Sequence, residues 1–299
     1  MAEKNVIGLT IQDLKPSEAP TDYPPNGLYF VEESEYHGGY GISKSNLDKF
    51  NISGAAYKYA EEYGNEQTAP MLFGSAYHCA VLEMERFKEA YTDDKTKAFD
   101  RRTTKGKEAF ATWQKTLAGK QILPLGSTKL IEDMQRALYE NETAKLLLSE
   151  GVAEVACYWR HSERFKNCLG RCKIDYIRRG LVDKDKYILI DLKTTKDCGE
   201  KDFVRSVENF RYDVQQAYYI DGFKQATGKE VEAFIIIAEE KTEPFHINIF
   251  SFDEEYYKLG RLAYEENLAY AVECFSSGVF PKHSEDIKNL TPPRWRFKK

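Results

Sequence analysis

Apolar positions recur at two different periods in the two halves of the chain. From Ile42 the text GISKSNLDKF offers Ser43 or Ser45 as an N-cap ahead of a short helix carrying Leu47 and Phe50. Met71 to Phe87 predicts a second helix. In a third, from about Thr128 to Ser149, Leu130, Ile131, Met134, Leu138 and Leu146 recur near the helical period. The pattern changes at Gly151, where VAEVACYWR, LGRCKIDYIRR and YILIDLKTT follow one another, rich in Val, Ile, Tyr and Cys and separated by polar turns. They predict sequential strands in an antiparallel meander. A helix through Val214 to Phe223, strands in AFIIIAEE and FHINIFSF, and a closing helix from about Asp253 to Phe275 complete the reading. The predicted fold class is α/β, a mixed central β-sheet flanked by helices with a mostly helical N-terminal part.

Residues 1–35 contain Pro16, Pro20, Pro24 and Pro25 with few apolar anchors and read as an N-terminal arm or tail. Residues 36–299 read as a single domain, with a helical part over 36–150 and an α/β core over 151–299. A chain of 299 residues with 42% apolar side chains can bury such a core without cross-links. Its cysteines, Cys79, Cys157, Cys168, Cys172, Cys198 and Cys274, form no CxxC pair and read as reduced thiols rather than a zinc site. The start has no basic segment followed by an apolar run, and no stretch is apolar enough to span a bilayer, so a cytoplasmic location is expected.

A net charge of −5 argues against a protein that coats nucleic acid, because phosphate affinity comes from clustered Lys and Arg. It leaves room for local patches. One surrounds KTKAFDRRTTKGK, with Lys95, Lys97, Arg101, Arg102, Lys105 and Lys107; another is RWRFKK from Arg294 to Lys299. Each is a candidate nucleic-acid contact, with a plain solvated face as the alternative.

The densest chemistry lies at the strand YILIDLKTT. Side chains alternate along a strand, so Asp191 and Lys193 share a face while Leu192 points to the other. Charged groups at the end of a buried strand need partners or a metal, unless that end is exposed. The preceding strand supplies Asp175, which pairing through LVDKDK would bring beside Asp191. Two adjacent carboxylates resist joint ionisation unless a cation neutralises them, and Mg²⁺, a hard ion that takes carboxylate oxygen and keeps waters, suits a phosphodiester hydrolase. Glu154 is an acidic residue inside the apolar run VAEVAC, although a solvent-facing position would also explain it. His37, His161, His246 and His283 show no ligand spacing and read as surface residues.

The order Asp175, then Asp191-Leu192-Lys193, on consecutive strands resembles the signature of the PD-(D/E)XK nuclease superfamily, with Ile174 in place of the proline. Gln215 and Tyr219 in DVQQAYYIDGF match the QxxxY motif of its RecB-like and RecE-like branches, and FGSAYHCAVLE places His78 where these branches carry a histidine. YHGGYGISKSNLDKF, GRCKIDYI, DLKTT and RYDVQQAYYIDGF extend the similarity to the phage-type exodeoxyribonuclease VIII (RecE) nuclease domain over roughly residues 36 to 240. The long N-terminal extension of that family and the clustered cysteines of its iron–sulfur relatives are not matched, so no cluster is expected.

The resemblance implies that 36–299 is one nuclease domain and 151–299 its catalytic core. It implies hydrolysis of linear duplex DNA from the 5′ end, leaving a 3′ single strand for recombination. The implied cofactor is Mg²⁺, for which Mn²⁺ can substitute. The implied ligands are Asp175, Asp191, Glu154, His78 and the Leu192 carbonyl; Lys193 would position and activate water, and Gln215 and Tyr219 would orient phosphate or Lys193. Arg101, Arg102, Lys105 and Lys107 are the candidate DNA contacts. Duplex DNA ends, a single-strand annealing recombination protein, a homo-oligomeric ring and a phage or prophage origin in a bacterial cytoplasm follow by family analogy. Two alternatives stay open: an endonuclease on the same core, and a non-catalytic DNA-binding or assembly protein.

Overall fold

The computed structural model describes residues 17–18, 24–64, 67–283, 287 and 289–292. β1 (Ser17–Glu18) and β2 (Gly27–Phe30) precede α1 (Glu33–Gly38), α2 (Lys44–Ile52), α3 (Gly54–Tyr63), α4 (Ala69–Leu82) and α5 (Met84–Ala90). Next come β3 (Tyr91–Asp93), α6 (Thr104–Lys115), β4 (Gln121–Leu123), α7 (Ser127–Glu140) and α8 (Glu142–Leu147). The second half runs β5 (Gly151–Arg160), β6 (Leu169–Arg179), β7 (Tyr187–Thr195), α9 (Glu200–Phe210), α10 (Tyr212–Thr227), β8 (Val231–Glu240), β9 (Ile247–Ser251) and α11 (Glu254–Ser277).

The main sheet has the order β1-β2-β5-β6-β7-β8-β9. β5, β6 and β7 form the expected antiparallel meander. β7 and β8 are parallel, which requires a crossover, and α9 with α10 supplies it. On one face Val155, Trp159, Ile174 and Leu189 bury against Leu47, Phe203, Tyr218 and Leu268 from α2, α9, α10 and α11. On the other, Tyr176, Ile190 and Leu192 bury against Tyr77, Ile131 and Leu147 from α4, α7 and α8. The fold is mixed α/β with helices on both faces and a helical N-terminal region.

Several element boundaries differ from those read in the sequence. Gly27–Phe30, inside the segment read as an arm, pairs antiparallel with β5 through the register Leu28 to Cys157. The helix expected over Met71 to Phe87 breaks at Glu83, whose backbone (φ −143°, ψ 59°) leaves the helical region and separates α4 from α5. The helix expected from Thr128 to Ser149 breaks at Asn141, whose side chain accepts from the Ala144 N–H and starts α8. Helices α6 and α9 went unread because polar residues dominate them.

Helix α10 lies close on the sheet: a Cβ at Gly222 would stand 2.5 Å from the Trp159 ring. Tyr218 Oη donates to the Ile42 carbonyl at 2.6 Å and lies 3.3 Å from His161 Nε2. His161 is therefore buried, not at the surface as expected, and burial pushes its pKa down to about 4. Between about pH 6.5 and that value the unfolded chain binds a proton that the folded chain refuses, so stability falls as pH falls through this window. From pH 7 to 5 the cost is about 2 kcal/mol. His161→Gln should lose correspondingly less stability over that interval in urea titrations; equal losses would contradict a neutral buried imidazole.

Candidate metal centre

Strict alternation fails at one level of the sheet. On β5, Val152, Val155 and Cys157 face the α10 side while Ala153 faces the α4 side. On β6, Ile174 and Ile177 face the α10 side and Tyr176 the α4 side. Val152 pairs with Ile177, Ala153 with Tyr176 and Val155 with Ile174. The extra residue on each strand is therefore acidic, and Glu154 and Asp175 stand opposite each other. Glu154 has φ 55°, a left-handed conformation uncommon for a side chain of this kind and of the sort held at functional sites.

Regular β6–β7 pairing ends at Tyr176 and Ile190, one position short of Asp175 and Asp191. The Leu192 N–H donates instead to Asp175 Oδ2 at 2.8 Å. N–H and C=O of one strand residue point to the same edge, so the Leu192 carbonyl is directed toward that side too. His78 descends from α4 and brings Nδ1 to 3.3 Å from the same oxygen. One ligand atom each from His78, Glu154 and Asp175 lies within 4.8 Å of the others.

This donor set fits a metal ion. Burial pushes the Asp175 carboxyl up to about 7, a shift that His78 opposes and neighbouring Asp191 reinforces. A bound cation favours the ionised form of such a carboxyl. Carboxylate oxygens with one imidazole can hold a divalent cation.

Asp191 belongs to the adjoining half of the site. It is 3% exposed; Oδ1 accepts from Gln215 Nε2 at 2.5 Å, and Oδ2 pairs with Lys193 Nζ at 2.5 Å. Lys193 also lies 5.0 Å over the Tyr212 ring. Burial opposes its charge, but Asp191 outweighs burial and holds the ammonium pKa above its ordinary value. Lys193 is thus a firmly protonated cation. Tyr219, one turn beyond Gln215, is half-buried and meets Phe234 edge-on at 6.1 Å. Among the described residues no hydrogen bond joins it to Lys193 or to either aspartate.

Lys173 escaped the sequence reading. It lies two residues before Asp175, pairs with Glu154 Oε2 at 2.8 Å and also binds Glu33 of α1. Burial works against its charge, and the two glutamates more than offset that. Its place in GRCKIDYI was the available signal, as was the position of Tyr212 three residues before Gln215. Arg101, Arg102, Lys105 and Lys107 are not in this cluster; they are exposed around the start of α6, where Arg102 pairs with Asp100 at 2.8 Å. RWRFKK, from Arg294 to Lys299, lies outside the described residues. All six cysteines are free thiols. Among the described residues no helix is long and apolar enough to cross a membrane.

Among solved structures, a protein of Eubacterium rectale described as a "putative exonuclease" aligns with TM-score 0.57 and 19% identity, over 88% of this chain and 96% of that one. That likeness bears on the fold alone. The protein SSO0001 aligns at TM-score 0.35 and 14% identity, over 80% of this chain and 78% of that one, too weakly to carry an argument. No curated protein matches the chain. Residues 43–292, which include His78, Glu154, Asp175, Asp191 and Lys193, match the family described as a PDDEXK-like domain of unknown function (DUF3799), and the chain belongs to that family.

Proposed function

We propose that the chain is a Mg²⁺-dependent deoxyribonuclease, with Mn²⁺ able to substitute, and that it acts as an exonuclease on the ends of linear duplex DNA. The observation that carries the reading is the convergence of His78, Glu154 and Asp175 within 4.8 Å, beside the buried Asp191–Lys193 pair. Exonuclease action is favoured by the similarity of GRCKIDYI, DLKTT and RYDVQQAYYIDGF to exodeoxyribonuclease VIII-type nucleases, and by the description given to the Eubacterium rectale protein. Digestion from the 5′ end, a ring of subunits, an annealing protein as partner and a cytoplasmic setting rest on the family resemblance.

In this reading His78, Glu154 and Asp175 would hold the ion, with Asp191 and the Leu192 carbonyl as further donors. A divalent cation bound there would supply Lewis-acid polarisation of the phosphate and a more acidic water. Lys193, kept protonated by Asp191, stabilises negative charge developing on the phosphate and orients the attacking water. Gln215 fixes the Asp191 carboxylate through its amide N–H, and Tyr219 borders the same helix face. Lys173 neutralises Glu154 from behind and sets where that carboxylate points.

A time course on linear duplexes labelled at the 5′ or the 3′ end, with a closed circular plasmid alongside, tests the reading. Mononucleotide label should leave 5′-labelled ends in the earliest samples while the circle stays intact. Early release from 3′ ends would overturn the polarity, and cutting of the circle would assign endonuclease action.

A further inference from the structure

Between β3 and β4 the chain builds a lobe with a charge opposite to the rest of the protein. Residues 94–120 hold eight Lys or Arg and three Asp or Glu, in a chain of net charge −5. Helix α6 has no acidic residue in its first turn and buries none of its residues. Lys105 and Lys107 sit near its N-terminus, where a positive charge works against the helix dipole. Helix stability does not account for this placement.

The lobe also carries its own aromatic cluster. Phe99, Phe110 and Trp113 meet one another at 5.6 to 5.8 Å between ring centroids, and none belongs to a core cluster of the body. All three remain partly exposed. The Arg101 guanidinium lies 5.0 Å from the Phe110 ring. At the root, Asp93 accepts from the Gly126 and Thr128 amides at 2.8 and 2.9 Å, which fixes β3 to the start of α7. Leu123, the last residue of β4, is buried in one cluster with Ala76 and Tyr77 of α4, the helix that carries His78. The lobe therefore springs from strands packed on the helix that brings in a candidate metal donor.

A cationic surface with half-exposed rings suits single-stranded nucleic acid, whose phosphates are neutralised while unstacked bases lie on the rings. Duplex bases are already stacked and gain nothing from such a platform. We propose that the 94–120 lobe holds a single strand of DNA at the site, with Arg101, Arg102, Lys105 and Lys107 on phosphates and Phe110 and Trp113 against bases. The presence of a strand there rests on the nuclease reading, but its binding can be measured without cleavage.

The test is fluorescence anisotropy of the full chain in EDTA, with a labelled oligothymidylate and a blunt duplex of equal length. Trp113→Ala should weaken single-strand binding about tenfold and change duplex binding less than about twofold. Trp113→Leu, which fills the space without a π-face, should match Trp113→Ala, and Trp113→Phe should restore most of the affinity. Replacing Arg101 and Arg102 by Ala should reduce the salt slope for the single strand by about 0.7 per lost contact. Wild-type affinity in Trp113→Leu, equal losses on both substrates, or an unchanged salt slope would overturn the proposal. These outcomes are separate from the nuclease reading: a chain that never cleaves yet shows this pattern keeps the lobe and loses the enzyme, and active cleavage with unchanged Trp113→Leu binding does the reverse.

Discussion

Asp175→Asn is expected to lower metal-dependent cleavage by about a thousandfold or more, while the protein gains stability in EDTA. The carboxylate touches both the His78 imidazole and the Leu192 amide, so its loss removes the donor that joins α4 to the sheet. Charge stabilisation by a bound metal is worth several kcal/mol, which corresponds to at least about a thousandfold in rate. The gain in stability follows from the raised carboxyl pKa. Its folded value of about 7 lies above the unfolded value, so the folded chain keeps a proton that the unfolded chain releases. Stability that is complete at low pH is therefore lost as pH rises toward 7. Asn does not titrate and escapes that loss, which is about 4 kcal/mol at pH 8 by proton linkage. Urea unfolding at pH 8 in EDTA checks the stability and a cleavage assay checks the rate; an active variant, or one less stable than wild type, would contradict this role for Asp175.

Lys193→Arg is expected to bind DNA and metal nearly as wild type does, but to cleave at least about a hundredfold more slowly. The substitution preserves charge and changes shape. The ammonium is confined between Asp191 at 2.5 Å and the Tyr212 ring at 5.0 Å, with 21% of its side chain exposed. A planar guanidinium spreads its donors over a wider fork and cannot present a point charge there. Lys193→Ala should be similarly slow, since it removes the cation and leaves Asp191 with Gln215 as its remaining partner. Single-turnover rates separate chemistry from binding. Near-normal cleavage by the Arg variant would reduce Lys193 to a simple electrostatic contact, and normal cleavage by both variants would remove it from the chemistry.

Much of this site was legible before the structure. Alternation along YILIDLKTT put Asp191 and Lys193 on one face, and the meander carried Asp175 and Asp191 to neighbouring positions one step beyond the last regular pair, Tyr176 with Ile190. Gln215 reaches Asp191 because α10 spans the parallel crossover. What escaped was the slip of alternation on β5 and β6, because a strict period of two gives no reason to set Glu154 opposite Asp175. Lys173 escaped because a lysine on a strand ordinarily reads as solvent-facing, whereas here two glutamates hold it at 11% exposure. The breaks at Glu83 and Asn141 depend on local caps that an apolar period does not register. His161 looked like a surface residue because its burial comes from α10 packing, a contact distant in sequence.

Calorimetric titration of Mn²⁺ into the DNA-free protein examines the metal centre without relying on any substrate. Wild-type protein should bind the ion, and His78→Ala, Glu154→Gln and Asp175→Asn should each weaken binding by at least about tenfold, the smallest cost ordinarily seen when even an outer-shell partner of a ligand is lost. Asp175→Asn should show the largest effect, because its carboxylate stands at the junction of both halves of the site. Mn²⁺ binding that is absent from the wild type, or undiminished in all three variants, would contradict a metal centre at these residues.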